Sequence, residues 1–224
     1  MKRRTLDTIF VGGGLLVAAL LVVLGFALAG EQAFATNYVK EELGAQKITF
    51  ATADKLTDAE KNWKPGSSCL VTYAGQNLQT GAQAECYAKY FIRMHMDNSA
   101  KTAGFPGATY ATLGSIRTDL SAQVTAAKAK SDTVATAAAQ KQLDSATSLR
   151  STMQTGETLS GMLLTVYGFT AIGDKAGLVS TVLFALAALM VLLSGAGLVH
   201  AFVTPKEKLV FTPVGDLKRV PVGA

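Results

Sequence analysis

Two long stretches of this chain carry no charge at all: Ile9 to Ala29, 21 residues, and Ala176 to Val203, 28 residues. A helix needs about 20 apolar residues to cross the hydrocarbon core of a bilayer, and both stretches reach that length. The sequence therefore predicts an all-α protein with two membrane-crossing helices flanking one helical domain outside the cytoplasm. Its parts are residues 1–8 (cytoplasmic), 9–29 (first span), 30–175 (external domain), 176–203 (second span) and 204–224 (cytoplasmic tail).

Flanking charge sets this orientation. Lys2, Arg3 and Arg4 stand before the first stretch against Asp7. Lys206, Lys208, Lys218 and Arg219 follow the second against Glu207 and Asp216. Excess basic residues in short flanks stay on the cytoplasmic side, which places both ends inside a plasma membrane and residues 31–175 outside. That region holds 14 Lys and Arg against 13 Asp and Glu, so most of the net +5 comes from the flanks. It shows no basic patch interleaved with aromatics, which speaks against nucleic acid as a partner. A cleaved signal peptide is the competing reading of residues 1–35, with small-x-small tripeptides at Ala27-Leu28-Ala29 and Ala33-Phe34-Ala35. Its apolar run is longer than the usual 7–15 residues, which favours a retained anchor. Either reading exports the middle region.

Cys69 and Cys86 are the only cysteines, and both fall in the exported region. An oxidising compartment favours a disulfide between them. Two free buried thiols, or a redox or metal pair, are the other readings. The spacing is not CxxC and no histidine cluster accompanies it.

The external region reads as helical segments broken by turns. Glu31 to Gln46 continues the first span, with Phe34, Tyr38 and Leu43 as contact positions. Ile48 to Ser68 is irregular and contains the Pro65-Gly66 turn, followed by Gly66-Ser67-Ser68 as loop. Cys69 to Gln79 reads as either a short helix or a strand. Thr80-Gly81-Ala82-Gln83 is a capping box opening a helix to about Met96, with Ala82, Cys86, Tyr90, Phe91 and Met94 on one side. Gly104-Phe105-Pro106-Gly107 is a break.

From Thr109 to Gln154 the spacing predicts an antiparallel helical hairpin. Leu113, Ile116, Leu120, Val124 and Ala127 form the first stripe, Ser131-Asp132 the break, and Val134, Ala138, Leu143, Leu149 and Met153 the second stripe. Many of its contacts would be alanine, which buries little area. Leu159, Met162, Leu163, Val166, Tyr167 and Thr170 make another apolar helix. It is expected to pack on the domain, the other reading being a headgroup-level helix. Gly173-Asp174-Lys175 marks the membrane surface.

Chemistry-bearing residues are sparse. His95 lies in the external region and His200 near the cytoplasmic end of the second span, so no site uses both. That excludes a mononuclear iron site with two histidines and one carboxylate. It leaves His95 alone for an external Ser–His or Cys–His pair. GxSxG, GxxxxGK[ST] and HExxH are absent, and Gly12-Gly13-Gly14 lacks the context of a phosphate loop. Met94-His95-Met96 offers ligands suited to Cu(I), but adjacent helical residues point apart, and the plainer reading puts Met94 in the core and His95 on the surface. Trp63, Tyr87, Tyr90 and Phe91 read as aromatic core before a ligand pocket. Glu85, His95 and Glu157 are the residues an enzyme reading would rest on. No catalytic, cofactor-binding or metal residue is assigned.

Neither span holds a charge, and Ser180, Thr181, Ser194 and His200 are their few polar residues. Ion and proton pathways place ionisable groups within the membrane, so transport is disfavoured. Ala18, Ala19 and Gly25, with Ala185, Ala188 and Gly195, would let helices approach closely, either between the two spans or against another membrane protein.

Several blocks resemble an uncharacterised family of actinobacterial two-span membrane proteins: Met1-Lys2-Arg3-Arg4-Thr5-Leu6-Asp7, Tyr73-Ala74-Gly75-Gln76, Thr80-Gly81-Ala82-Gln83-Ala84-Glu85, Tyr87-Ala88, Gly156-Glu157-Thr158-Leu159 and Leu163-Leu164. The resemblance covers about half the chain and implies a two-span architecture and a bacterial setting. Members often carry the label aromatic ring-opening dioxygenase, an activity the two separated histidines do not allow here. The cysteine pair lies outside the resemblance. The sequence thus points to a non-enzymatic accessory or scaffolding subunit of a membrane or envelope complex, held in a lipid bilayer beside a membrane-protein partner. The alternative is an external domain that binds or senses a lipid or small molecule, in a cavity among Tyr87, Phe91 and the Leu159–Tyr167 helix.

Overall fold

The computed structural model describes residues 3–62 and 68–205, with Arg3 and Ser68 described in their backbone only. Trp63, the Pro65-Gly66 turn and Ser67, together with Lys2 and the charges Lys206, Glu207, Lys208, Asp216, Lys218 and Arg219, lie outside the described residues. Within them the chain is helical: α1 (Arg3–Ala45), α2 (Asp58–Asn62), α3 (Ser68–Thr72), α4 (Gly81–Cys86), a π-helical segment (Tyr87–Ile92), α5 (Arg93–Thr102), α6 (Thr112–Ala129) and α7 (Thr133–Val203). The described residues contain no β-strand, only an isolated antiparallel bridge between Thr49 and Asn77.

The chain divides into two compact units, Met1–Ala33 with Gly173–Ala224, and Phe34–Ile172. α1 and α7 contribute residues to both.

The Phe34–Ile172 unit is built on one hydrophobic core. Val39 and Leu43 of α1 meet Leu70 of α3, Ala88 and Ile92 of the π segment, Leu113 and Leu120 of α6, and Leu149, Met153 and Leu163 of α7. After α1, residues 48–51 pair with residues 75–78. Phe50 N–H donates to Gln76 O at 2.9 Å, Leu78 N–H to Ile48 O at 2.8 Å and Gly75 N–H to Ala51 O at 3.2 Å. Cys69 to Gln79 is therefore part helix and part extended ladder, a mixture that its apolar pattern did not resolve. Gly75 turns the chain into that ladder at φ +73°, a left-handed conformation that favours glycine.

Thr80 caps α4 as its sequence predicts. Its Oγ1 accepts from Gln83 N–H at 3.2 Å, and Gln83 Oε1 accepts from Thr80 N–H at 3.1 Å. The buried Gln83 amide also accepts from Gln79 N–H at 2.8 Å and donates to Gln76 Oε1 at 3.0 Å. Several blocks that carry the family resemblance thus meet here as structure: a turn glycine, a cap, and an amide joining the two. Thr80→Ala is expected to cost about 1 kcal/mol, the usual value of an N-cap, read as a lowered urea midpoint at unchanged slope.

The helix after the cap does not keep one phase. Between α4 and α5 the π turn spreads more residues over each turn than an α-helix does. The buried positions are Ala84, Cys86, Ala88, Ile92, Met96 and Ala100, while Ala82 is exposed and Tyr90 and Phe91 are half-buried. The predicted Ala82–Cys86–Tyr90–Met94 side assumed uniform 3.6-residue turns.

Cys69 and Cys86 form a disulfide with Cα atoms 6.1 Å apart, tying α3 to the end of α4. α6 buries Leu113, Leu120 and Val124 as its stripe predicts. A three-residue connection leads into α7, whose cap is Asp132: its Oδ1 accepts from Ala135 N–H at 2.9 Å. Arg117 Nε donates to Thr147 Oγ1 at 2.9 Å, and the Arg150 guanidinium sits 4.0 Å from the centre of the Tyr110 ring. Leu149, Met153 and the wholly buried Ala146 face the core, whereas Val134 is 80% exposed and Ala138 is also exposed.

α7 continues without interruption through Gly156, Gly161, Gly168 and Gly173. The apolar helix expected at Leu159–Thr170 is thus a part of α7. It packs on the domain through Leu163, Leu164 and Val166, and leaves Met162 62% exposed.

Candidate functional site

In the unit formed by Met1–Ala33 and Gly173–Ala224, the two apolar helices pair with each other. Val11, Gly14, Ala18 and Gly25 are buried on α1; Gly177, Ser180, Ala187, Ser194 and Ala201 are buried on α7. On α7 the residues Ser180, Ala187, Ser194 and Ala201 fall seven apart, the spacing of a left-handed helix pair. A Cβ on Gly25 would lie 2.7 Å from the Phe184 ring, and one on Gly197 would lie 3.1 Å from Val11. Gly14 faces Ser194, and Gly177 faces Gln32. Ser180 Oγ donates to Gly25 O at 2.7 Å across the pair, and Phe26 meets Phe184 edge-on at 5.0 Å. The order of partners runs in opposite directions along the two helices. Arg4 lies 5.5 Å from the Phe202 ring, at the far end from Gln32 and Gly177.

Small residues and one interhelical hydroxyl bond are what apolar surroundings favour between helices. Of the residues the sequence singles out, Ala18 and Gly25 lie in this seam, while Ala19, Ala185, Ala188 and Gly195 face outward. The sequence signal that reveals the seam is the Ser-Ala-Ser-Ala repeat at seven-residue spacing. Both helices are long and apolar enough to cross a membrane, with only 17% and 11% of their most apolar windows buried. The core helix of a soluble protein would bury most of such a window. Val11→Cys with Gly197→Cys is expected to cross-link readily within one chain in isolated membranes. Adding Gly25→Leu, which forces the seam apart, is expected to lower the cross-linked fraction severalfold on a non-reducing gel.

In the Phe34–Ile172 unit an aromatic file runs from the extended ladder to the surface. Phe50 packs against Tyr73 at 5.6 Å and against Tyr87 at 5.4 Å, Tyr87 against Phe91 at 4.5 Å, and Phe91 against His95 at 4.1 Å between ring centres. Burial raises the pKa of the Tyr87 phenol above the usual tyrosine value. Tyr87, Tyr90 and Phe91 pack on the core together with Leu164 and Val166.

His95 ends the file. It is exposed, and its Nδ1 lies 2.8 Å from Phe91 O. Met94 and Met96 flank it in sequence and are both buried, so the three residues of the copper reading do not converge. Gly156 of α7 makes room for Met96, since a Cβ there would overlap the thioether sulfur. Glu85 pairs with Lys89 at 2.6 Å, and Glu157 faces Arg93 at 3.5 Å. The bond to Glu85, helped by its charge, raises the Lys89 pKa. The two carboxylates and the histidine therefore have separate partners. Among the described residues no three His, Cys, Asp or Glu side chains gather closely enough to hold a metal ion.

Beside His95 a furrow of about 500 Å³ opens between the π segment and α5 on one side and α7 on the other. Phe91, His95 and Met96 form one wall; Ser148, Ser151 and Thr155 stand on the other. A second hollow of about 400 Å³ continues it, sharing Ser99, Ser148 and Thr152. Elsewhere on this unit Phe34, Tyr38 and Phe169 form an exposed aromatic cluster, with Phe34 and Tyr38 stacked at 5.7 Å and Phe169 edge-on to both. Ile172, 68% exposed, follows Phe169 on the same helix.

No protein-family model, curated protein or solved structure matches the chain.

Proposed function

We propose that this protein is a non-enzymatic accessory or scaffolding subunit of a bacterial membrane or envelope complex. In this reading α1 and α7 cross the plasma membrane as an antiparallel pair, both chain ends lie in the cytoplasm, and the Phe34–Ile172 unit stands outside. The observation that carries it is the division of labour on the two apolar helices. Their inner faces close on each other through a small-residue seam, while their outer faces stay apolar. Gly12, Gly13 and Gly195 lie on those faces, where an added Cβ would meet nothing. Outward-facing small residues suit a further helix, because they let backbones come close.

Three further features support the reading. Neither charge-free stretch holds an ionisable group that a transport pathway would use. Phe34, Tyr38 and Phe169 suit the headgroup level, where aromatic side chains gather. The contacts of Arg117 with Thr147 and of Arg150 with Tyr110 fit an antiparallel α6–α7 hairpin, whose exposed end at Val134 and Ala138 offers an apolar contact without helping the core. The resemblance to two-span actinobacterial proteins agrees with this architecture.

The test is a pull-down of the tagged protein in mild detergent, with mass spectrometry of what accompanies it. Stoichiometric recovery of other membrane proteins is expected. A lone, stable monomer would sink the subunit reading.

A further inference from the structure

We infer that the furrow between α5 and α7 binds an uncharged, polyhydroxylated chain, that is, a neutral glycan. The two hollows share Ser99, Ser148 and Thr152, so they form one continuous furrow alongside α5 from Phe91 to Thr102. Twelve residues of helix amount to roughly 18 Å of length, enough for several sugar rings.

The lining contains no acid and no Lys or Arg. The nearest ion pair described, Arg93 with Glu157, is closed on itself at 3.5 Å. A phosphate or carboxylate would give up its hydration there without a counter-charge, and a cation would find no carboxylate. The furrow therefore selects for a neutral ligand.

Its hydrogen-bonding character is one-sided. Thr152 Oγ1 donates to Ser148 O at 3.3 Å, Thr155 Oγ1 to Ser151 O at 3.1 Å, and Ser145 Oγ to Ala103 O at 3.1 Å. With their protons committed to the backbone, these oxygens are left as acceptors. His95 adds another. Its Nδ1 lies 2.8 Å from a carbonyl oxygen that can only accept, so Nδ1 carries the proton and Nε2 of the neutral ring is an acceptor. A fitting ligand must supply several O–H donors. It must also present a C–H face to Phe91, Ile92 and Met96 on the opposite wall. A sugar ring has both. An acyl chain would leave the oxygens unpaired, which carries a desolvation penalty. This site does not depend on the subunit reading, and either can fail alone.

The experiment is calorimetric titration of the full-length protein in detergent micelles with maltoheptaose, cellohexaose and mannohexaose, with a hyaluronan hexasaccharide as the charged control. At least one neutral oligosaccharide is expected to bind, with the hyaluronan fragment at least tenfold weaker. His95→Ala and Thr152→Val are each expected to weaken binding about three- to tenfold, the usual worth of one hydrogen bond. Ser121→Ala, on α6 and away from the furrow, should leave it unchanged. Circular dichroism melts of all three variants separate lost binding from lost folding, and Ser99→Ala replaces any variant that does not fold. Binding of none of the three neutral chains, equal binding of hyaluronan, or full affinity in the folded furrow variants would overturn the assignment.

Discussion

Replacing Leu113 with alanine is expected to destabilise the Phe34–Ile172 unit by about 3–4 kcal/mol. Leu113 is 0% exposed and stands at the start of α6, in the same core as Leu149 and Met153 of α7. Removing a leucine side chain from such a place loses the transfer energy of its carbons and leaves a cavity, for a total of about 3–5 kcal/mol where the walls cannot collapse. Both walls here are helices held elsewhere in the core, so relaxation is limited. The readout is the urea midpoint of the detergent-solubilised protein followed by circular dichroism. Val134→Ala is the matched control: with Val134 80% exposed, it should stay within about 0.5 kcal/mol of the parent. Equal effects of the two substitutions would mean that α6 is not seated in the core as described.

Opening the disulfide is expected to have the next largest effect. Cys69 and Cys86 are 17 positions apart, and closing a loop of that size stabilises by about 3 kcal/mol in the chain-entropy view. The bond also has a local task. α3 has only five residues, Ser68–Thr72, too few to hold a helix in water without a tether. Cys69→Ala should lower the unfolding midpoint and expose α3 first. Hydrogen exchange would show this as early loss of protection at Leu70 to Tyr73, while Leu149 and Met153 stay protected. Uniform loss across the unit would instead mean that α3 unfolds only together with the whole core.

Several elements were legible in the sequence because each rests on a local rule. The charge-free stretches, the Thr80–Gln83 capping box, the α6 stripe and the oxidised cysteine pair all depend on residues that act at short range or on chemistry alone. The π segment was not legible. Nothing in Tyr87-Ala88-Lys89-Tyr90-Phe91-Ile92 marks an altered turn, and the phase shift follows from packing by residues far along the chain, such as Gly156 opposite Met96. The seam between the apolar helices was half legible. Alanine and glycine occur on every face of both helices, and only the seven-residue spacing of Ser180, Ala187, Ser194 and Ala201 separates the inner face from the outer. Val134 and Ala138 were read as buried because an apolar stripe was taken to run the full length of its helix.

For the candidate site, the sequence identified His95 and its flanking methionines but not the furrow. Its second wall is a run of serines and threonines more than 50 positions away, and such residues read as a solvated face until another helix is laid beside them.

The π segment also bears on how this protein tolerates insertions and deletions. A wide turn is the local form of one surplus residue in an otherwise regular helix. Losing one residue between Tyr87 and Ile92 would let the stretch relax to ordinary α-helix. Everything after it would then turn by about 100° per residue removed, swinging Met96 and Ala100 out of the core and carrying His95 away from the furrow. Lengths should therefore be fixed in this six-residue stretch and free to vary at the Lys130–Asp132 connection, where one more residue would only lengthen an exposed turn.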